Sequence, residues 1–160
     1  MKTYATQIDL PAQARSQAVA LLNQQLADTL DLFTQVKQAH WNVKGMHFIA
    51  LHELFDRLAE EAEGYTDDLA ERATALGGVA QGTARVAAKV SRLPEIAIEG
   101  LDGKAAVKAL AERYAALAAS TRAAIEAANR LGDASTADLF TEISRGLDKS
   151  LWLLEAHLQA

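Results

Sequence analysis

Apolar residues recur every three or four positions through most of this chain, in runs long enough for extended helices. Leu22, Leu26, Leu30, Phe33 and Val36 keep that spacing in the first quarter of the sequence. Pro11 suits an opening helical turn and Gly45 interrupts the run, so a helix is predicted from just after Leu10-Pro11 to about Val43. A second runs from roughly Phe48 to Leu76 and stops at Gly77-Gly78. A crossover of about twenty-five residues follows, punctuated by Pro94, Gly100 and Gly103, and its Thr83–Leu93 part is predicted as a short helix. The third long helix begins near Asp102, an N-cap, and extends to Leu131-Gly132. The last starts after Asp133 and Ser135 and ends close to the C-terminus. Two helix pairs with short turns, joined by one long crossover, predict an all-α four-helix bundle.

His40 falls where the next apolar residue of the first stripe belongs, so this imidazole is expected to face a packing surface. His52, Asp56, Asp67 and Glu71 share the second helix and project within an arc of about 100°. His52/Asp56 and Asp67/Glu71 are each i, i+4 pairs. Imidazole plus carboxylate with no sulfur suits Fe(II) or Mn(II), with zinc as a competitor. On a straight helix the two pairs lie about 22 Å apart, so they cannot serve one metal ion. An antiparallel second copy would bring its acidic pair opposite the first histidine pair. The alternative is a solvated helix face.

Composition narrows the field. The chain has 160 residues, half of them hydrophobic, with 6% aromatics and two prolines, which fits one helical domain over residues 1–160 with a short tail at 1–10. The absence of cysteine excludes disulfides, thiolate metal sites and cysteine catalysis. No stretch is apolar and long enough for a bilayer, and Met1-Lys2-Thr3-Tyr4 opens no signal region, so a soluble, cytoplasmic protein is expected. A formal charge of −5 has the wrong sign for default nucleic-acid affinity. The first fourteen residues hold one basic side chain, Lys2, set against Asp9.

Bundles that hold two irons within one subunit use Glu-x-x-His motifs. Lys37, Lys44, Ile49 and Leu154 stand three before the four histidines, so none is present. What remains resembles the Dps family, the ferritin-like mini-ferritins. The resemblance rests on Lys37-Gln38-Ala39-His40-Trp41-Asn42-Val43-Lys44-Gly45, on Phe48-Ile49-Ala50-Leu51-His52-Glu53-Leu54-Phe55-Asp56 and on Asp67-Asp68-Leu69-Ala70-Glu71-Arg72-Ala73. It continues through Leu76-Gly77-Gly78 and returns at Leu147-Asp148-Lys149-Ser150-Leu151-Trp152.

The resemblance implies a ferritin-like bundle assembled from twofold dimers into a hollow dodecamer. Each dimer would hold two ferroxidase sites with two irons each, His40, His52 and Asp56 from one subunit and Asp67 and Glu71 from its mate. Hydrogen peroxide would be the preferred oxidant over dioxygen, and ferric mineral would be stored inside. Trp41 would intercept stray oxidising equivalents, or simply pack at an interface. Asp133, Asp138 and Glu142 would line acidic pores, or cap and line the start of the last helix. Arg72 and Asp148 resemble a pair at a subunit junction. Glu53, Glu60 and Glu63 are candidates for mineral nucleation, while His47 and His157 read as surface residues. The competing function is a DNA-compacting structural protein. Twelve chains at −5 each carry −60, so DNA binding is expected to be weak and to need Mg(II). A purely structural bundle, its acids only solvating it, is the third reading.

Overall fold

The computed structural model describes residues 3–97 and 99–159. Five helices appear in order: α1 (Ala12–Asn42), α2 (Phe48–Ala75), α3 (Ala84–Val90), α4 (Gly103–Arg130) and α5 (Ala134–Glu155). Among the described residues there is no β-strand, only an isolated backbone bridge between Lys44 and Asp102. α1 packs mainly on α2 and α4 mainly on α5. α1–α4 and α2–α5 contacts close the bundle, and α3 carries the crossover along α1. This is the expected four-helix arrangement, with the short crossover helix in place.

Local chemistry fixes the boundaries. The Thr83 side chain caps α3, Asp102 caps α4 by accepting from Ala105 N at 2.8 Å, and Asp133 caps α5 by accepting from Thr136 N at 3.0 Å. α2 ends where Gly77 turns to a positive φ of 83°. The approach of Tyr4 there is close enough that a Cβ on Gly77 would collide with the Tyr4 carbonyl.

Leu22, Leu26, Leu32 and Val36 of α1 meet Leu54, Phe55, Leu58 and Leu69 of α2, with Leu110, Tyr114, Leu117, Phe140, Ile143 and Leu147 completing the core. Leu30 and Phe33 are only half-buried. Around Leu32, α1 buries polar side chains too, because it must anchor the crossover. Asp28 is sealed in and binds Arg92 Nε at 2.9 Å, and buried Arg113 donates to Gln35 Oε1 at 2.8 Å and to the Glu95 carbonyl at 2.6 Å.

The α2–α5 seam is held by polar ties. Ser150 Oγ donates to Glu61 Oε2 at 2.6 Å, and Arg72 Nη2 donates to Asp133 Oδ1 at 2.8 Å. Gly146 leaves room for Tyr65, whose hydroxyl a Cβ there would strike. Burial, with Glu61 beside it, holds the Tyr65 phenol protonated far above its ordinary range.

Candidate metal centre

The end of α1 and the first turns of α2 run side by side after the short turn through Gly45, which juxtaposes His40 and His52. His40 Nδ1 lies 2.8 Å from the His52 carbonyl oxygen, and His52 Nδ1 lies 2.9 Å from the His40 carbonyl oxygen. A carbonyl oxygen only accepts, so each Nδ1 is assigned the hydrogen and donates it. In the neutral ring Nε2 then carries the lone pair. The two rings stack with centroids 3.7 Å apart at 21°, and Phe48 tilts against His52 at 5.0 Å. Reciprocal bonds and stacking thus fix both the tautomer and the orientation of each imidazole.

Asp56 stands one turn along α2 from His52. Its Oδ1 is 3.8 Å from His40 Nε2 and 2.7 Å from Lys37 Nζ. His40 is 8% exposed, whereas the Asp56 side chain is 45% exposed, so the carboxylate sits at the open side of a buried imidazole pair. The Lys37 hydrogen bond holds the Asp56 carboxyl below its ordinary range against some desolvation, and the positive charge of Lys37 reinforces it. Lys37 was not foreseen as part of this group. Its place three residues before His40, on the same helix face, is the signal that pointed to it. Lys37 Nζ also lies 5.8 Å from the ring centroid of Trp41, which is 62% exposed.

Asp67 and Glu71 lie on the same unbroken helix, and their midpoint is about 22 Å from that of His52/Asp56. Both are exposed, and no hydrogen bond or ion pair engages either carboxylate among the described residues. Glu71 borders an open groove with Arg72 and Leu139. Among the described residues no three His, Asp or Glu side chains are grouped so as to hold a metal ion. One chain therefore offers a histidine-rich half and an acidic half, well apart.

Other expectations fare differently. Asp133, proposed to line a pore, is 2% exposed and committed to Arg72 and to the start of α5, so it presents no open carboxylate within the chain. Asp138 and Glu142 are exposed on α5. Arg72 and Asp148 do not pair within the chain. Arg72 takes Asp133, and Asp148 Oδ1 accepts from Arg122 at 2.7 Å, because those are the partners the α2–α5 and α4–α5 registers supply. Glu53, Glu60 and Glu63 are exposed, as are His47 and His157.

The ferritin-like domain family matches residues 19–160. Over 159 residues the chain is 43% identical to the DNA protection during starvation protein of Agrobacterium fabrum, covering 99% of this chain and 98% of that one. The chain belongs to the Dps family of ferritin-like proteins. Solved structures of the family agree with its fold. DpsA14 from Streptomyces coelicolor is similar at a TM-score of 0.94 and 34% identity, covering 100% of this chain and 95% of that one. Mycobacterium smegmatis Dps, in its tetragonal form, is similar at 0.94 and 33%, covering 99% and 95%. Among the described residues no helix is long and apolar enough to cross a membrane.

Proposed function

We propose that two Dps chains pair antiparallel along α2, placing His40, His52 and Asp56 of one opposite Asp67 and Glu71 of the other. Each of the two sites so formed takes two Fe(II) ions as substrate and oxidises them. The observation that carries this reading is the crossed pair of histidine hydrogen bonds. Two carbonyls hold both Nδ1 hydrogens, so two Nε2 lone pairs are kept ready for a cation, as carbonyls bonded to the far nitrogen of metal-binding histidines do. The Asp56, Asp67 and Glu71 carboxylates offset the charge of the ions and favour the ferric product. One peroxide molecule takes one electron from each of two Fe(II) ions and, with two protons, leaves as two water molecules. Dioxygen is the slower oxidant. Zinc and manganese compete for the same donors.

The dimers assemble into a hollow dodecamer in the cytoplasm, where ferric product mineralises as stored iron. Exposed Asp138 and Glu142 draw cations through acidic pores, and Glu53, Glu60 and Glu63 nucleate mineral. Trp41, exposed next to His40 in sequence, intercepts one-electron oxidising equivalents. The A. fabrum relative is named for DNA protection, and in this chain we assign such protection to the removal of iron and peroxide. With −5 per chain and a single lysine ahead of α1, DNA is expected to show no gel shift at modest salt unless Mg(II) is added.

Subunit complementation tests the shared site. His52→Ala chains and Asp67→Ala/Glu71→Ala chains should each lose peroxide-dependent iron oxidation by at least about 100-fold. Co-assembled, they should regain up to half of the wild-type rate per mixed dimer, since one of its two sites is intact. Activity retained in the Asp67→Ala/Glu71→Ala protein alone, or none regained on mixing, overturns the proposal.

A further inference from the structure

At one end of the bundle the α1–α2 turn, the start of α4 and the turn after α5 surround a cleft of ≈ 570 Å³. Four of its lining side chains are cationic or become so on protonation: Lys44, His47, Lys104 and His157. Among the described residues none of the four forms an ion pair. The one acid in the lining, Asp102, already caps α4 through Ala105 N at 2.8 Å. His157 Nδ1 is 2.8 Å from the Leu153 carbonyl, which assigns the hydrogen there and leaves Nε2 free.

The cleft is also preformed. The Lys44–Asp102 backbone bridge ties the α1–α2 turn to the start of α4, and a Cβ on Gly103 would press on Leu51. α2 opens beside it at His47, whose side chain makes no cap hydrogen bond among the described residues and is left for the cleft. In a chain with 21 acidic and 16 basic residues, four such groups gathered around a single carboxylate, itself turned to the start of α4, is an uneven arrangement.

We propose that this cleft binds phosphate groups, as inorganic phosphate or a short phosphate chain. The volume lies in the range of small-ligand sites and exceeds what a halide would fill. Ammonium groups and imidazole N–H donors suit the dispersed charge and many acceptor oxygens of phosphate. The surrounding acidic surface disfavours a long polyanion, so free phosphate is the expected source rather than a nucleic-acid backbone. The inference does not depend on the iron chemistry proposed above.

Titration calorimetry of the assembled, iron-free protein at low ionic strength tests it, with inorganic phosphate and tripolyphosphate as probes. Saturable binding is expected, tighter for tripolyphosphate. Lys44→Gln/Lys104→Gln should weaken it about tenfold, and His47→Gln/His157→Gln about threefold. These side chains are exposed, and none of the four substitutions removes an ion pair, so fold and assembly should persist, as circular dichroism and particle mass would show. Iron oxidation should also persist in the lysine variant. A short DNA duplex forms the second arm. Binding to it that the lysine variant abolishes would make the nucleic-acid backbone the source. No duplex binding, with tripolyphosphate retained, assigns free phosphate. Heats that never saturate, or undiminished affinity in the lysine variant, overturn the site.

Discussion

The two ends of α2 carry candidate ligands of one functional set and treat them in opposite ways. Near its start, His52 is stacked on His40, locked by two reciprocal hydrogen bonds, and flanked by an Asp56 that Lys37 already holds. Towards its end, Asp67 and Glu71 stand exposed, with no partner among the described residues to orient them. The contrast follows from the ligand chemistry. An imidazole must be fixed in one tautomer and one orientation before its lone pair is useful, and the fold of one chain can do that. A carboxylate needs no tautomer, so its placement can be left to a second copy. What the single chain does fix at the acidic end is the backbone that carries these residues, through the tie between Arg72 and Asp133.

That tie gives the largest stability effect expected from the comparison. Arg72→Ala would strip a nearly sealed Asp133 of its charged donor while leaving the Thr136 bonds in place. We expect a loss of about 2 kcal/mol in denaturant unfolding of the dissociated subunit. A loss below about 0.5 kcal/mol would show that the end of α2 is held by packing alone.

A smaller difference separates the ligands themselves. His40→Ala removes one of the crossed bonds and leaves a hole at a buried position, so about 1–1.5 kcal/mol of stability should go with it. Asp67→Ala/Glu71→Ala should change stability by no more than about 0.5 kcal/mol, though the proposal has both variants losing iron oxidation. Equal destabilisation by the two, measured by chemical unfolding, would erase the distinction between a built half and a waiting half.

Most of the bundle was legible because its signals are local. Caps at Thr83, Asp102 and Asp133, the break at Gly77-Gly78 and the period of the α1 stripe set every helix boundary to within a few residues. His40 could be placed on a packing face for the same reason. What escaped depends on contacts far apart in sequence. Nothing near Asp28 announces that Arg92 will cover it, and nothing near Arg72 separates Asp133 from Asp148 as its partner. Both choices are made by how helices register across the bundle. Lys37 lies between these cases: its spacing from His40 was visible, but its ion pair needed α2 brought alongside.

Lys37 also sets the finest test of the comparison, through pH. The folded-state pKa of Asp56 is depressed, chiefly by its hydrogen bond to Lys37. A group depressed on folding contributes stability that is fully present above its unfolded value, near 4 for an aspartate, and is lost as pH falls through the folded value. Lys37→Met removes that contribution. Wild type and variant should therefore differ by a constant small margin at neutral pH, and the margin should close as the pH is taken below about 4. The same substitution frees Asp56 from a competing cation, so Co(II), a divalent ion that peroxide-free buffer does not oxidise, should bind more tightly to the variant at pH 7. Calorimetric unfolding across pH 3–7 reads the margin, and Co(II) titration at pH 7 reads the binding. A margin that persisted unchanged to pH 3 would mean that Lys37 supports the histidine half through packing rather than through its charge on Asp56.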